Sequence, residues 1–133
     1  MFQILIVSHG GLACEMLKTA EMIAGPQPDT ATLGLFPGDS PEQLQQAIEA
    51  ILQRWGKQDV LVLTDMRSGT PFNVVGGLMK EYDFRHISGI NLAMLIEVLM
   101  ARDDMSLNEA ADEVLSLSSR TVLDVNSLLK DKN

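Results

Sequence analysis

The sequence predicts an α/β domain in which helices cover both faces of a parallel sheet. Short apolar runs rich in β-branched residues alternate with amphipathic helical segments along all 133 residues, almost without linkers. Hydrophobic residues make up 46% of the chain but aromatic residues only 5%, so the core between sheet and helices has to be aliphatic. The chain is long enough to bury such a core without disulfides, and we predict one domain over residues 1–133.

Four apolar runs are predicted as strands, since parallel strands buried on both faces are apolar at successive positions. Their bounds are Phe2–Val7, Thr32–Phe36, Asp59–Thr64 and His86–Ile90. A short fifth strand is predicted over Arg120–Val125, although no full crossover separates it from the elements before it. The pattern alone therefore leaves the pairing of this last strand open.

Two amphipathic helices are predicted, one after each of the first two strands. The second begins with Ser40 as N-cap, Pro41 at the first helical position and Gln43 completing a capping box. Cys14, on the first helix, is interpreted as a small core residue. The apolar stripe of the first helix is Leu12, Met16, Leu17, Ala20 and Ile23, and that of the second is Leu44, Ala47, Ile48, Ile51, Leu52 and Trp55.

Three more helices are predicted in the second half of the chain. Thr70 as N-cap, followed by proline, begins a helix over Phe72–Tyr82. A capping box of Ser106 and Glu109 begins the last helix. Between them, Leu92–Met100 is apolar nearly all round, which is typical of a helix that is deeply buried or faces a partner chain.

Charge and cysteine content exclude several classes of function. A formal net charge of −8 argues against binding to nucleic acid or to an anionic membrane surface, because both need clustered Lys and Arg. The single Cys14 excludes an internal disulfide and a cysteine-based zinc site. The pair Asp103-Asp104 is interpreted as a solvated helix end, so we predict neither a metal nor a cofactor.

No apolar stretch approaches the roughly 20 residues that a membrane span needs, since Glu97 interrupts the longest one. The N-terminus also lacks the basic region of a signal peptide. We therefore expect a cytoplasmic protein.

Two titratable side chains follow the first and third apolar runs, His9 and Asp65. In open α/β sheets the functional groups lie just past the carboxyl ends of the strands. A flavodoxin-like strand order, 2-1-3-4, would make these two strands neighbours and place His9 beside Asp65. A carboxylate bonded to one ring nitrogen would leave the lone pair of the other free, so the pair predicts a nucleophilic imidazole. The alternative is a structural His–Asp pair that closes a loop.

The loop after Asp65 has the composition of an anion site. Gly69 gives backbone freedom, Thr70 offers a hydroxyl, and unpaired N–H groups follow at Thr70 and Phe72. Gly10, with the helix after it, could add further donors. We favour a phosphoryl-binding site over an ordinary N-cap at Thr70.

His86 opens the fourth strand without an obvious partner, and we interpret it as a half-buried structural histidine.

Over the whole chain, these residues resemble the enzyme IIA component of the mannose family of the sugar phosphotransferase system. The order and spacing of several short segments carry the resemblance, rather than any one of them. They are Ile6-Val-Ser-His9-Gly, Leu17-Lys-Thr-Ala-Glu-Met22, Phe36-Pro-Gly-Asp39, Thr64-Asp65, Gly69-Thr-Pro-Phe-Asn73, Ser88-Gly-Ile-Asn91 and Met94-Leu-Ile-Glu97.

The resemblance implies that the carrier protein HPr phosphorylates His9, which passes the group to a histidine of the IIB component for sugar uptake. Asp65 would orient the His9 ring. The membrane IIC and IID components would be indirect partners. Members of the family resemble one another in being flavodoxin-like homodimers that exchange an antiparallel C-terminal strand. Such an exchange would account for the strand near Val122.

The chain departs from the family pattern at Ser68, where glycine is usual, and at Ala93, where proline is common. Neither position touches the His–Asp pair. Two related functions stay open: a IIA-like phosphotransfer subunit of a dihydroxyacetone kinase, and a regulatory phosphohistidine module. The Pro37-Gly38 pair and the Thr70–Asn73 segment favour the sugar-transport function.

Overall fold

Four parallel strands form the sheet of the computed structural model, which describes residues 1–130. They are β1 (Gln3–His9), β2 (Thr30–Leu35), β3 (Val60–Thr64) and β4 (Arg85–Ser88). The strand order is β2-β1-β3-β4, so the flavodoxin-like parallel arrangement is confirmed. The predicted bounds differ from these by at most two residues at either end, and the end of β3 at Thr64 was predicted correctly.

Helices cover both faces of the sheet, as predicted. They are α1 (Leu12–Ala24), α2 (Pro41–Trp55), α3 (Thr70–Leu78), α4 (Leu92–Ala101), α5 (Leu107–Leu117) and the short α6 (Val125–Lys130), with a 3-10 turn over Ser118–Arg120. The first core cluster joins one face of the sheet to α1, α4 and α5, and the second joins the other face to α2 and α3. No helix within residues 1–130 combines the length and apolar character needed to cross a membrane.

Local capping signals predicted α2 and α5 correctly. The Ser40 hydroxyl accepts from the Gln43 amide (3.1 Å), and the Gln43 side chain accepts from the Ser40 amide (2.8 Å). Leu44, Ile48 and Leu52 then face the core, at the helical spacing seen in the sequence. Ser106 and Glu109 form the equivalent box at the start of α5.

The all-round apolar helix α4 is mostly covered within its own chain. Met94, Leu95, Val98 and Leu99 are buried in the first core cluster, between the sheet and its neighbouring helices. Met100 points outward and is 61% exposed. Deep burial therefore accounts for most of this helix.

The interpretation of α1 is wrong in its details. Cys14 is exposed, and so are Leu12 and Ile23 from the predicted stripe. The fully buried positions are Ala13 and Ala20, seven residues apart, because small side chains let the helix approach the sheet closely. Ala20, Met16 and Leu17 of the predicted stripe do face the core, so the prediction fails only at Leu12 and Ile23, and Ala13 is buried beside them instead.

The predicted fifth strand over Arg120–Val125 is not formed. The chain makes a 3-10 turn and then begins α6, where Asp124 accepts hydrogen bonds from the Asn126 amide (3.1 Å) and the Ser127 hydroxyl (2.8 Å). No strand of the described residues lies beside this segment, so the local bonds made by the Asp124 side chain decide its conformation. Val122 stays 80% exposed as a result.

The helix after β3 also ends earlier than predicted, at Leu78 rather than Tyr82. Gly76 and Gly77 fall in its last turn. Their carbonyls accept hydrogen bonds from the amides of Met79 and Lys80, three residues further on, instead of from amides four residues further on as in an α-helix. Glycine weakens a helix because it has the most conformational freedom to lose. The two glycines therefore explain the early end.

Arg102 anchors the amino-terminal ends of β1 and β2. Its guanidinium is 2% exposed and donates to the carbonyls of Phe2 and Pro28, to the Asp29 carbonyl (3.3 Å) and to Gln27 Oε1 (3.0 Å). Burial lowers the pKa of Arg102, although the nearby Asp103 and Asp29 carboxylates act to raise it. The buried charge is thus matched by several oxygens, which fix the strands opposite the site described next.

Candidate functional site

The structure brings His9 and Asp65 together at the carboxyl edge of the sheet. Val7 pairs with Thr64 between β1 and β3, so the residues that follow emerge side by side. Asp65 Oδ2 lies 2.8 Å from His9 Nδ1 and also accepts from the His9 backbone amide at 2.9 Å. The predicted pairing follows from the strand order alone.

Asp65 is held in its ionised form. Burial raises its pKa, but the hydrogen bonds from the His9 amide and ring outweigh burial and hold the pKa below its ordinary value. The other oxygen, Oδ1, accepts from the Met66 amide (3.0 Å). The Asp65 side chain is 9% exposed and that of His9 is 45% exposed, so the carboxylate lies behind the ring.

These contacts fix the tautomer of His9. An ionised carboxylate can only accept hydrogen bonds, so His9 Nδ1 has to carry the proton that Asp65 receives. In the neutral imidazole the lone pair is then on Nε2, the nitrogen on the far side of the ring. The half-exposed His9 therefore presents a nucleophilic nitrogen beside the loop that precedes α3.

Gly69 lies directly against that nitrogen. A Cβ at this position would be 2.8 Å from His9 Nε2 and 2.9 Å from Cε1, closer than real contacts allow. Gly69 also has φ of +92°, which side-chain-bearing residues rarely adopt. Both facts require glycine here, and they place the start of α3 at the reactive edge of the ring.

The start of α3 differs from the predicted cap. Gly69 is the N-cap residue and Thr70 is the first helical residue, whose hydroxyl caps no backbone amide of the helix. The first intrahelical bond runs from the Asn73 amide to the Gly69 carbonyl (3.0 Å). The amides of Thr70 and Phe72 therefore have no acceptor within the helix, while Pro71 has no N–H. The interpretation of Thr70 as an ordinary N-cap is wrong.

The Gly10 amide, one of the donors expected for a phosphoryl group, makes a hydrogen bond within the chain. Gly10 donates to the Leu35 carbonyl at 2.7 Å. Its own carbonyl would be 2.1 Å from a Cβ at Gly34, so β2 needs glycine where the loop passes over it. We missed Gly34, although a glycine inside a predicted strand is a signal of close backbone approach.

Ser8 is a buried residue that stabilises the loop after β1. It is 1% exposed, and its hydroxyl accepts from the Ala13 amide at 2.7 Å. This bond ties the first turn of α1 to the strand residue just before His9, and so fixes the loop through which the chain leaves β1. The sequence pattern showed Ser8 beside His9 but not this contact.

His86 has a partner after all. Its Nε2 lies 2.8 Å from the hydroxyl oxygen of Thr64, which also bonds to Ser88 Oγ at 2.7 Å. The His86 ring packs against Phe72 with the ring centres 5.4 Å apart. Burial lowers the pKa of His86 below its ordinary value, which agrees with the predicted half-buried position.

Among residues 1–130 no group of three or more His, Cys, Asp or Glu side chains is arranged to hold a metal ion.

Comparison with known proteins gives the family. A family of proteins described as the fructose IIA component of the phosphotransferase system matches residues 3–115. The mannose-specific EIIAB component of Escherichia coli K12 is 36% identical over 120 residues, which are 89% of this chain. The chain spans only 36% of the length of that relative. The fructose-specific EIIA component of Bacillus subtilis is 25% identical, over 91% of this chain and 84% of its own.

Solved structures agree with this assignment. The EIIA component from Streptococcus agalactiae has a TM-score of 0.88 and 31% identity, covering 96% of this chain and 99% of its own. The mannose/sorbose-specific IIA subunit from Enterococcus faecalis has a TM-score of 0.83 and 32% identity, covering 92% of each chain. This chain therefore belongs to the mannose-type family of IIA components of the phosphotransferase system.

Proposed function

We propose that this chain is the phosphoryl carrier of a sugar phosphotransferase system, with His9 as the residue that carries the group. HPr is the donor of the phosphoryl group, and a histidine of the IIB component is its acceptor. The membrane IIC and IID components take part only indirectly. The observation that carries the proposal is the His9 ring itself, bonded through Nδ1 to Asp65 and free at Nε2. Membership of the family supports a role in phosphoryl transfer in general.

The transfer step uses the lone pair of His9 Nε2. It forms a bond to the phosphorus of phospho-HPr while the bond from phosphorus to the donor imidazole breaks, and that imidazole keeps the electron pair. The phosphorylated His9 ring retains its Nδ1 proton and becomes cationic, and the adjacent Asp65 carboxylate stabilises this charge. Passing the group to IIB reverses the same events with a new acceptor.

The α3 N-terminus is suited to hold the equatorial oxygens during transfer. Amides without an intrahelical acceptor, the Thr70 hydroxyl and the helix dipole all favour negative charge at this end. Phosphoryl transfer depends mainly on positioning and on stabilising charge spread over those oxygens. We therefore assign Gly69, Thr70 and Phe72 to the phosphoryl-binding site, without a metal or cofactor.

Names of the relatives support a IIA role but do not agree on a sugar. The Escherichia coli relative is named an EIIAB component, and this chain spans 36% of its length. We accordingly assign IIA to this chain and propose a IIB partner. The relatives are named for mannose, fructose and sorbose, so their names do not determine the transported sugar.

Preformed phospho-HPr provides the direct test. We expect one phosphoryl group per chain, stable to base and labile to acid as phosphohistidine is, followed by its loss when the cognate IIB is added. No labelling at all would refute the carrier function. Labelling without onward transfer to any IIB would instead indicate the regulatory phosphohistidine module.

Thr70→Val should slow transfer in both directions while barely changing stability, because it removes a hydroxyl that makes no cap bond. We expect a loss on the order of tenfold, about the value of one charge-assisted hydrogen bond. The rate is measured by rapid quench with phospho-HPr, and Thr70→Ser is the matched control that retains the hydroxyl. A Thr70→Val rate equal to that of the wild type would remove Thr70 from the site.

EDTA serves as a second control in the same assay. With preformed phospho-HPr, the magnesium requirement of enzyme I is bypassed, and chelation should leave the rate at His9 unchanged. A loss that magnesium restores would show that the site uses a metal.

The C-terminal segment exposes several large apolar side chains. Val122, Leu123, Val125 and Leu129 are each more than half exposed in the single chain, as is Met100 at the end of α4. Monomers rarely expose so many large apolar side chains within a short segment. We propose a homodimer in which this surface is covered.

Removing the residues after Ser119 should abolish the dimer and give a monomeric or aggregating product of lower stability. Light scattering after size-exclusion chromatography measures the mass of both forms, with the intact chain as control. A well-folded monomer of the intact chain at micromolar concentration would contradict the proposed dimer.

A further inference from the structure

Three polar side chains lie together beneath α3, on the sheet face opposite α1. Thr64 is completely buried at the end of β3, and His86 and Ser88 stand two residues apart on the neighbouring β4. The Thr64 hydroxyl oxygen is 2.8 Å from His86 Nε2 and 2.7 Å from Ser88 Oγ. The transfer step described above uses none of these groups.

The Thr64 hydroxyl has one hydrogen and takes part in two hydrogen bonds. With that hydrogen donated to Ser88 Oγ, the Thr64 oxygen accepts from His86 Nε2. In this arrangement His86 is the Nε2–H tautomer. Burial lowers its pKa below the ordinary 6.5, so the ring is neutral at neutral pH.

His86 contacts the chain at both ends of the loop that forms the phosphoryl site. Thr64 directly precedes Asp65, and Phe72 lies in the first turn of α3, where its ring meets the His86 ring at 45°. Between these two contacts the chain passes through Asp65 and Gly69, which touch opposite edges of the His9 ring. A shift of His86 would therefore be transmitted to both edges of the His9 ring.

We propose that His86 is a positioning residue for phosphoryl transfer at His9, holding the loop between Thr64 and Phe72 so that Asp65 and the α3 amides face His9 together. The inference rests on the proposed carrier function. It assigns His86 no contact with the phosphoryl group and no part in the proton or electron movements. Misplacement of reacting groups by about 1 Å can cost on the order of a hundredfold in rate, so even a small loop shift has a measurable effect.

Two substitutions of His86 separate positioning from mere packing. His86→Leu keeps an apolar side chain against Phe72 but removes the donor to Thr64. His86→Gln keeps an amide donor near the place of the imidazole Nε2. Single-turnover transfer from phospho-HPr gives the maximum rate, the donor concentration at half-maximal rate and the end-point stoichiometry, and thermal unfolding gives stability.

We expect His86→Leu to lower the maximum rate by about tenfold or more, with the half-saturating donor concentration unchanged. His86→Gln should recover most of that rate, and both variants should reach the wild-type end point because His9 is intact. If both variants lose stability equally but keep the wild-type maximum rate, His86 is structural only and the proposal is overturned. Should His86→Leu not fold, Thr64→Val, which removes the acceptor, has to show the same slowing.

Nitrogen chemical shifts of the His9 ring provide a readout that needs no donor protein. In the unphosphorylated protein these shifts should move in His86→Leu and return towards wild-type values in His86→Gln. Unchanged His9 shifts in both variants would overturn the positioning role. Failure of phospho-HPr to label the wild type would refute the carrier function, and the shifts would still decide the role of His86.

Discussion

His9→Ala should abolish labelling of this chain by preformed phospho-HPr. The substitution removes the nitrogen that faces Gly69. The loss should be complete because the alanine side chain has no atom that can accept the phosphoryl group. The His9 side chain is 45% exposed, so its removal leaves no large cavity in the core and the fold should persist. Labelling is followed by mass spectrometry of the intact chain.

His86→Gln is the matched control for this experiment, since it removes the other histidine of the chain. Its end-point stoichiometry should equal that of the wild type, whatever its rate. Labelling that persists in His9→Ala, or that disappears in His86→Gln at the end point, would mean that His9 is not the acceptor.

Asp65→Asn should slow transfer on the order of 10²–10⁴-fold, the usual contribution of a group that orients or assists a reacting base. The carbonyl oxygen of Asn can still accept from Nδ1, but the negative charge that stabilises the phosphorylated, cationic ring is gone. If the amide turns its nitrogen towards Nδ1 instead, it forces the proton onto Nε2 and blocks attack. Rapid-quench rates in both directions measure the loss.

Asp112→Asn is the matched control. Asp112 is an exposed carboxylate on the sheet face opposite α3, and its Oδ1 lies 2.8 Å from Arg85 Nη2. Its transfer rate should equal that of the wild type, since exposed ion pairs contribute little. An Asp65→Asn rate equal to that of the wild type would show that the His9–Asp65 pair is only structural.

The same variant carries a pH signature. The pKa of Asp65 in the folded chain lies below its ordinary 3.8, so its ionised form stabilises the native state above that pH. This contribution is lost as the pH falls through the lower, folded-state pKa. Asp65→Asn should therefore lose less stability than the wild type as the pH falls through the acid range. Unfolding midpoints of both proteins, measured across that range, would show the difference.

The sequence by itself determined the parallel α/β fold, the adjacency of His9 and Asp65, and the position of Gly69 and Thr70 next to them. The strands and helices were predicted because each has a local signal, and the adjacency of His9 and Asp65 followed once the strand order 2-1-3-4 was assumed. Apolar runs predict buried strands, the capping boxes of α2 and α5 predict helix starts, and strand ends of a parallel sheet always meet at one edge. The family resemblance was confirmed by the match over residues 3–115.

Only the tertiary structure decided which faces and partners these elements use. Ala13 rather than Cys14 faces the core, Gly34 lies under Gly10, and His86 bonds to Thr64. Each depends on how closely two elements distant in sequence approach, and hydrophobic periodicity does not specify that distance.

Residues 120–125 show a second limit of prediction from sequence. Residues 120–125 have the composition of a strand, but a strand needs a partner for its backbone groups. Residues 1–130 of the single chain supply none at that place, and the Asp124 side chain satisfies the following amides by starting a helix. Backbone pairing is non-local while capping is local, so only the folded structure could decide between them.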